Sequence, residues 1–166
     1  MGKMVARGLL ALYVGTLIGI VLFKFPFHIP ANLDHHTRSL NLIPFAAPSI
    51  VHGKINFNEM ILNCLVFIPF GLLLSVNFKK VGFFTKLAII LVFSLTAECL
   101  QYIFAIGAAD ITDVITNTSG GLLGLTVYHV CSRYLTHEKL DRVILGVGTF
   151  LLVLFGAMVA LLLGRR

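Results

Sequence analysis

Apolar residues run along this chain in five long blocks, separated by a long loop after the first and by short polar or charged breaks thereafter. The blocks cover about Gly8–Phe23, Met60–Val76, Phe83–Ile106, Ile111–Cys131 and Val143–Leu163. A helix that crosses the hydrocarbon core of a bilayer needs roughly 17–25 residues, each rising about 1.5 Å. The pattern therefore predicts an all-α fold, a polytopic transmembrane bundle of about five spanning helices. Residues 1–166 form a single membrane domain with no soluble part, and 141–166 hold the C-terminal fifth helix. Lys3 and Arg7 before the first block resemble a signal peptide. After Phe23 comes Lys-Phe-Pro-Phe-His, which lacks a small-x-small cleavage site, so the segment is expected to stay as an uncleaved anchor.

Between the first two blocks lies a loop from about Lys24 to Asn58. Pro26, Pro30, Pro44 and Pro48 argue against a regular long helix there. Leu40, Leu42, Ile43, Phe45, Ile50 and Val51 nevertheless make the loop half apolar. It is expected to lie in the outer interface or to fold back among the helices, where protein or a wet cavity can satisfy its backbone.

Composition removes the soluble alternative. Apolar residues make up 58% of the chain and charged ones 12%, against roughly 45–50% and about 25% in soluble domains. The net charge of +6 would suggest nucleic acid in a soluble protein, but the cations flank the apolar blocks. Topology control and contact with anionic membrane lipids explain them better, and no nucleic-acid partner is expected. With the N-terminus inside, eight cations are cytoplasmic: Lys3, Arg7, Lys79, Lys80, Lys86, Arg133, Lys139 and Arg142. Five are outside: Lys24, Arg38, Lys54, Arg165 and Arg166. The expected topology is N-terminus cytoplasmic and C-terminus outside.

Cys64, Cys99 and Cys131 each sit in an apolar run, without a CxxC or Cys/His spacing, and are read as small buried residues. His35 and His36 beside Asp34 have no specific ligand spacing. No nucleotide, dinucleotide or zinc-protease fingerprint is present, so no metal and no cofactor is expected.

Each polar side chain inside an apolar block needs a reason, because it is expensive in hydrocarbon. Asn63 lies one turn into the second block. Glu98 and Gln101, three apart, share a face in the last third of the third block. Asp110, Asp113 and Asn117 open the fourth on one face. From the block ends, Asn63 lies roughly 5 Å deep, Asn117 roughly 9 Å and Glu98 roughly 12 Å. All three belong to the outer leaflet in the expected topology, with Arg38 and Asn41 in the loop above them. A purely structural role is the alternative. Asp110 and Asp113 suit a helix N-terminus, and the amides suit hydrogen bonding between helices. Gly120 and Gly124 form a GxxxG with Gly121 beside them, read as packing inside the bundle rather than dimerisation. Pro69 and Gly71 suggest a kink in the second helix.

Four segments then carry a family resemblance. They are "NLIPF" at Asn41–Phe45 preceded by Arg38, "NCLVFIPFGLLL" at Asn63–Leu74, "AECLQ" at Ala97–Gln101 and "ADITDVITNTSGGLLG" at Ala109–Gly124. In this order, over residues 38–125, the chain closely resembles the VanZ-like family of bacterial membrane proteins. The resemblance marks Arg38, Asn41, Pro44, Asn63, Pro69, Gly71, Glu98, Gln101, Asp110, Asp113, Asn117, Gly120 and Gly121 as motif positions. Many members carry an Arg where Gly107 and Ala108 stand here. Arg38 is then the expected cation near the acidic cluster.

The resemblance implies a role in the bacterial envelope in resistance to teicoplanin-type, lipid-tailed glycopeptides, without supplying a reaction. The expected function is binding or shielding a lipid-linked surface component, with membrane lipids or a lipid-linked wall precursor as partner. The alternative is a small intramembrane enzyme acting on such a lipid, with Glu98 or Asp113 as acid or base. A transporter fits less well, since no repeat is apparent.

Overall fold

A computed structural model describes residues 3–23, 40–45, 49–51, 54–105 and 109–163. Five helices dominate it: α1 (Lys3–Phe23), α2 (Asn58–Asn77), α3 (Phe83–Phe104), α4 (Ile111–Tyr134) and α5 (His137–Leu163). The expected all-α membrane bundle is what the chain forms. The helices outrun the apolar blocks at their charged ends: α1 starts at Lys3 and α5 at His137. A helix needs no apolar residues once it leaves the hydrocarbon, so its backbone hydrogen bonds continue through the charged flank. α2 runs through Pro69 as one element.

α1, α2, α3 and α5 are long and apolar enough to cross a membrane on length and composition. α4 has the length, 24 residues or about 36 Å, with a more polar sequence. Its position explains this. α4 packs most extensively against α2 and next against α3, and its buried set includes Thr112, Asp113, Thr116 and Asn117. A helix face packed between others can carry polar groups that pair with its neighbours, which a lipid-facing one cannot.

Side-chain pairings fix the helix directions. Tyr13 of α1 donates to the Val66 carbonyl of α2 (2.6 Å), and Asn77 near the other end of α2 donates to the Ala6 carbonyl (3.1 Å). α1 and α2 are thus antiparallel. Asn63 of α2 meets Asp113, and Ile68 meets Gly124, so α2 and α4 run parallel. Ser94 meets Asn117 and Ile90 meets Gly121, so α3 opposes α4. The end of α1, start of α2, end of α3 and start of α4 therefore share one end of the bundle.

Lipid tails are as apolar as leucine, so helices here must gain from close packing rather than from escaping water. Glycine makes that contact possible. A Cβ on Gly71 would strike the Gly121 carbonyl, one on Gly120 the Cys64 carbonyl, and one on Gly124 the Ile68 carbonyl. A Cβ on Gly121 would meet the Ile90 side chain of α3. Around this seam sits an apolar core of Leu17, Phe67, Phe70, Leu74, Ile90 and Leu125. Packed against it, the half-buried Phe93 stands 5.2 Å from Phe70 and 6.1 Å from Phe67, centroid to centroid.

The cysteine expectation needs correcting. Cys64 and Cys131 are half-buried and Cys99 is exposed. An apolar run in a membrane helix includes lipid-facing positions, so hydrophobic neighbours in sequence do not imply burial in protein.

Short strands punctuate the α1–α2 loop and the α3–α4 turn. β1 (Leu40–Asn41) pairs in parallel with β4 (Ala109–Asp110), in the register Leu40 to Ala109 and Asn41 to Asp110. β2 (Ser49–Val51) and β3 (Lys54–Asn56) form an antiparallel hairpin. Residues 40–45 thus fold back onto the mouth of α4. Leu42 and Ile43 remain 67% exposed there, as suits apolar side chains at a membrane interface rather than in water.

Candidate functional site

The motif residues gather where β4 enters α4. Asp110 caps the helix: its Oδ1 accepts from the Thr112 amide at 2.7 Å, meeting one of the donors that every helix start leaves open. The same carboxylate accepts from Asn41 Nδ2 through Oδ2 at 3.1 Å, while Asn41 Oδ1 accepts from the Ile43 amide at 3.2 Å. Thr112 Oγ1 accepts from the Phe45 amide at 3.1 Å. Two of these four bonds, Asn41 to Asp110 and the Phe45 amide to Thr112, join the β1–β4 pairing in fastening the NLIPF segment to the α4 N-terminus.

Beneath the cap lies Glu98. It is buried on α3, and its Oε2 accepts from the Asp110 amide at 2.9 Å. The side chain therefore ties the end of α3 to the cap of the next helix. Asp113, one turn into α4 and also buried, accepts from Asn63 Nδ2 of α2 at 2.8 Å. Both carboxylates lie close to the positive end of the α4 dipole, where negative charge is favoured by about 0.3–1 kcal/mol. One turn deeper, Asn117 donates to Ser94 Oγ of α3 at 2.9 Å. Gln101 donates to the Val21 carbonyl of α1 at 2.7 Å.

Seven of the expected residues thus form one assembly over α2, α3, α4 and the loop: Asn41, Asn63, Glu98, Gln101, Asp110, Asp113 and Asn117. Gln101 faces α1 and forms its edge. Arg38, His35, His36, Gly107 and Ala108 lie outside the described residues. Among the described residues no three His, Cys, Asp or Glu side chains gather as a metal site would require. Pro69, Gly71, Gly120, Gly121 and Gly124 stand apart from the assembly, in or beside the α2–α4 seam below it.

Two members were missed in the sequence. Ser94 lies four residues before Glu98 and seven before Gln101, so the helical face that carries those two also carries it. Thr112 had no such signal, because its partner comes from a loop sixty-seven positions away.

Most of the donors are used internally, and several acceptors are not. Gln101 Oε1 and Asn117 Oδ1 are buried without a hydrogen-bond partner among the described residues, as is Thr118 Oγ1. Buried acceptors left open cost free energy, of order 1–3 kcal/mol each. Chemically, the assembly gathers the carboxylates of Glu98, Asp110 and Asp113 with the amides of Asn41 and Asn63 at one end of the bundle.

Comparison with known proteins agrees with the motif order. The sequence model of the VanZ/LLP1 family matches residues 10–132. Among curated proteins, Protein VanZ of Enterococcus faecium is 58% identical over 154 residues, covering 93% of this chain and 92% of that protein. No solved structure matches the chain. With the family match extending from α1 to the last turns of α4, the chain belongs to the VanZ/LLP1 family.

Proposed function

We propose that the protein acts in the bacterial cell membrane as a non-enzymatic resistance factor against lipid-tailed glycopeptides of the teicoplanin type. It binds or shields a lipid-linked surface component through the polar assembly at the α4 N-terminus. The observation that carries this reading is the convergence of three helices and the NLIPF segment on Glu98, Asp110 and Asp113 at one end of a membrane bundle. A polar group on a lipid can reach such a cluster from the headgroup level, which a soluble ligand would have to enter from water. Kinship with Protein VanZ supports the same role. The test is surface binding of fluorescent teicoplanin to cells with and without the gene. Less bound drug in expressing cells is expected, and equal binding overturns the reading.

The proposal places the assembly in the outer leaflet. Lys3, Arg7, Lys79, Lys80, Arg133, Lys139 and Arg142 all stand at the opposite end of the bundle, beside the α1 and α5 starts and the α2 and α4 ends. Such a surplus favours the cytoplasmic side. In a background lacking the three native cysteines, a cysteine at Leu42 is expected to react with an impermeant maleimide on intact cells. One at Thr136, in the α4–α5 turn, is expected to react only after permeabilisation. The reverse pattern would put the assembly in the cytoplasmic leaflet and remove the shielding role.

A further inference from the structure

The end of the bundle opposite the polar assembly holds a cavity of about 750 Å³. It opens between the start of α1, the end of α2 with the turn after it, and the first turns of α5. Its volume lies within the roughly 300–1,000 Å³ usual for small-ligand sites. Five cationic side chains line it, Lys3, Arg7, Lys79, Lys80 and Arg142, against two acidic ones, Glu138 and Asp141, for a net charge of +3.

Its walls are fixed before any ligand arrives. Asn77 Nδ2 donates to the Ala6 carbonyl at 3.1 Å and to the Leu73 carbonyl at 2.9 Å, pinning α1 to α2. Asp141 pairs with Lys79 and also accepts from Tyr128 of α4 at 2.9 Å. The Lys79 charge is thereby neutralised, and α5 is tied to α4 and to the α2–α3 turn. Lys3, Arg7, Lys80 and Arg142 are left facing Glu138 alone within the lining. The floor is apolar: Ala6, Val76 and Leu145 are all buried.

A cationic rim over an apolar floor, where α1, α2 and α5 leave the hydrocarbon, matches an amphiphile rather than a free ion. We propose that this cavity binds the phosphate headgroup of an anionic phospholipid, with the phosphate among Lys3, Arg7, Lys80 and Arg142 and the glycerol end of the acyl chains over Ala6, Val76 and Leu145. The ordinary role of flanking cations, setting topology, requires only their presence near the interface. It does not require that they line one cavity with a structured wall. Basic recesses between membrane helices bind anionic headgroups by this chemistry.

The test is native mass spectrometry of the purified full-length chain with phosphatidylglycerol, phosphatidylcholine and glycerol 3-phosphate as probes. Wild type is expected to retain phosphatidylglycerol well above phosphatidylcholine. Arg7→Gln and Arg142→Gln are each expected to lower that retention roughly fivefold. Lys139→Gln, one residue beyond the lining residue Glu138 but not part of the lining, is expected to change it less than twofold. Glu138→Gln removes the opposing charge and is expected to raise retention, a gain that misfolding cannot mimic. Helical content by circular dichroism accompanies each variant. Equal loss in Lys139→Gln would mean diffuse surface attraction and overturn the site, as would indifference to lipid charge or reduced retention in Glu138→Gln. Displacement of the lipid by equimolar glycerol 3-phosphate would overturn the assignment to a phospholipid and leave a soluble phosphate ester as the ligand.

Discussion

Gly120→Leu is expected to abolish the folded protein. A Cβ at this position would already overlap the backbone carbonyl of Cys64 on α2, and neither helix backbone can rotate out of the way. The remaining atoms of leucine would have to enter the same seam, which is occupied on either side by Gly121 against Ile90 and Gly124 against Ile68. Ordinary overpacking of a well-filled core costs about 1–3 kcal/mol. Leucine exceeds that range, because no rotamer moves its Cβ off the Cys64 carbonyl and its further atoms add to the overlap of that single Cβ. The α2–α4 contact is the most extensive in the bundle, and it positions both Asn63 and Asp113. Its loss would disperse the polar assembly as well as the helices. The readouts are membrane abundance and the midpoint of SDS-induced unfolding followed by circular dichroism. Gly120→Ala should fold with a clearly lowered midpoint. Gly156→Ala on α5, where an added Cβ meets nothing within 4 Å, is the control and should match wild type. A wild-type midpoint for Gly120→Leu would show that α2 and α4 do not meet as closely as described.

Glu98→Gln is expected to leave the protein folded and remove its resistance phenotype. The substitution keeps volume and an acceptor for the Asp110 amide, so the link between α3 and the α4 cap persists. What disappears is the negative charge, or the proton, that an ionisable group brings to the site. A residue serving only to join helices would not need it. Glu98→Leu gives the structural contrast. It leaves the Asp110 amide without that acceptor, at a cost of about 1–3 kcal/mol for a buried donor, and should lower abundance and unfolding midpoint together. Glu59, exposed in the first turn of α2, is the control, and Glu59→Gln should keep full resistance. Resistance and membrane abundance are scored in the same cells. Full resistance in Glu98→Gln would reduce Glu98 to a packing residue. It would also remove the case for Glu98 as an acid or base in an enzymatic reading.

What the sequence determined by itself is the class of the molecule and the faces of its helices. Apolar length sets helix count in a bilayer, since each crossing must satisfy its backbone internally and extend about 30 Å. Helical periodicity then places Glu98 with Gln101, and Asp110 with Asp113 and Asn117, whatever the neighbours are. The paths of the helices alternate because successive crossings must, and that arithmetic already brought Asn63, Glu98 and Asn117 to one end. Helix limits were legible only to within a few residues at charged ends, where apolar pattern stops and hydrogen bonding does not.

Tertiary structure decided who touches whom. Helix contact in lipid depends on how closely two surfaces can approach, not on how apolar they are. Gly71, Gly120 and Gly124 could have served any neighbour, and only the fold matched α4 to α2 along a parallel seam. The same holds for residues 40–45. Their apolar content signalled an interface, but the pairing of Asn41 with Asp110 and of the Phe45 amide with Thr112 joins segments about seventy residues apart. No local rule encodes such a distance. At the opposite end, Lys79 reads in sequence as a flanking charge, and nothing local pairs it with Asp141 or Asp141 with Tyr128. Lys79 and Asp141 meet on one cavity wall, with Tyr128 holding Asp141 from α4, because α4 and α5 meet the turn after α2 only in the packed bundle.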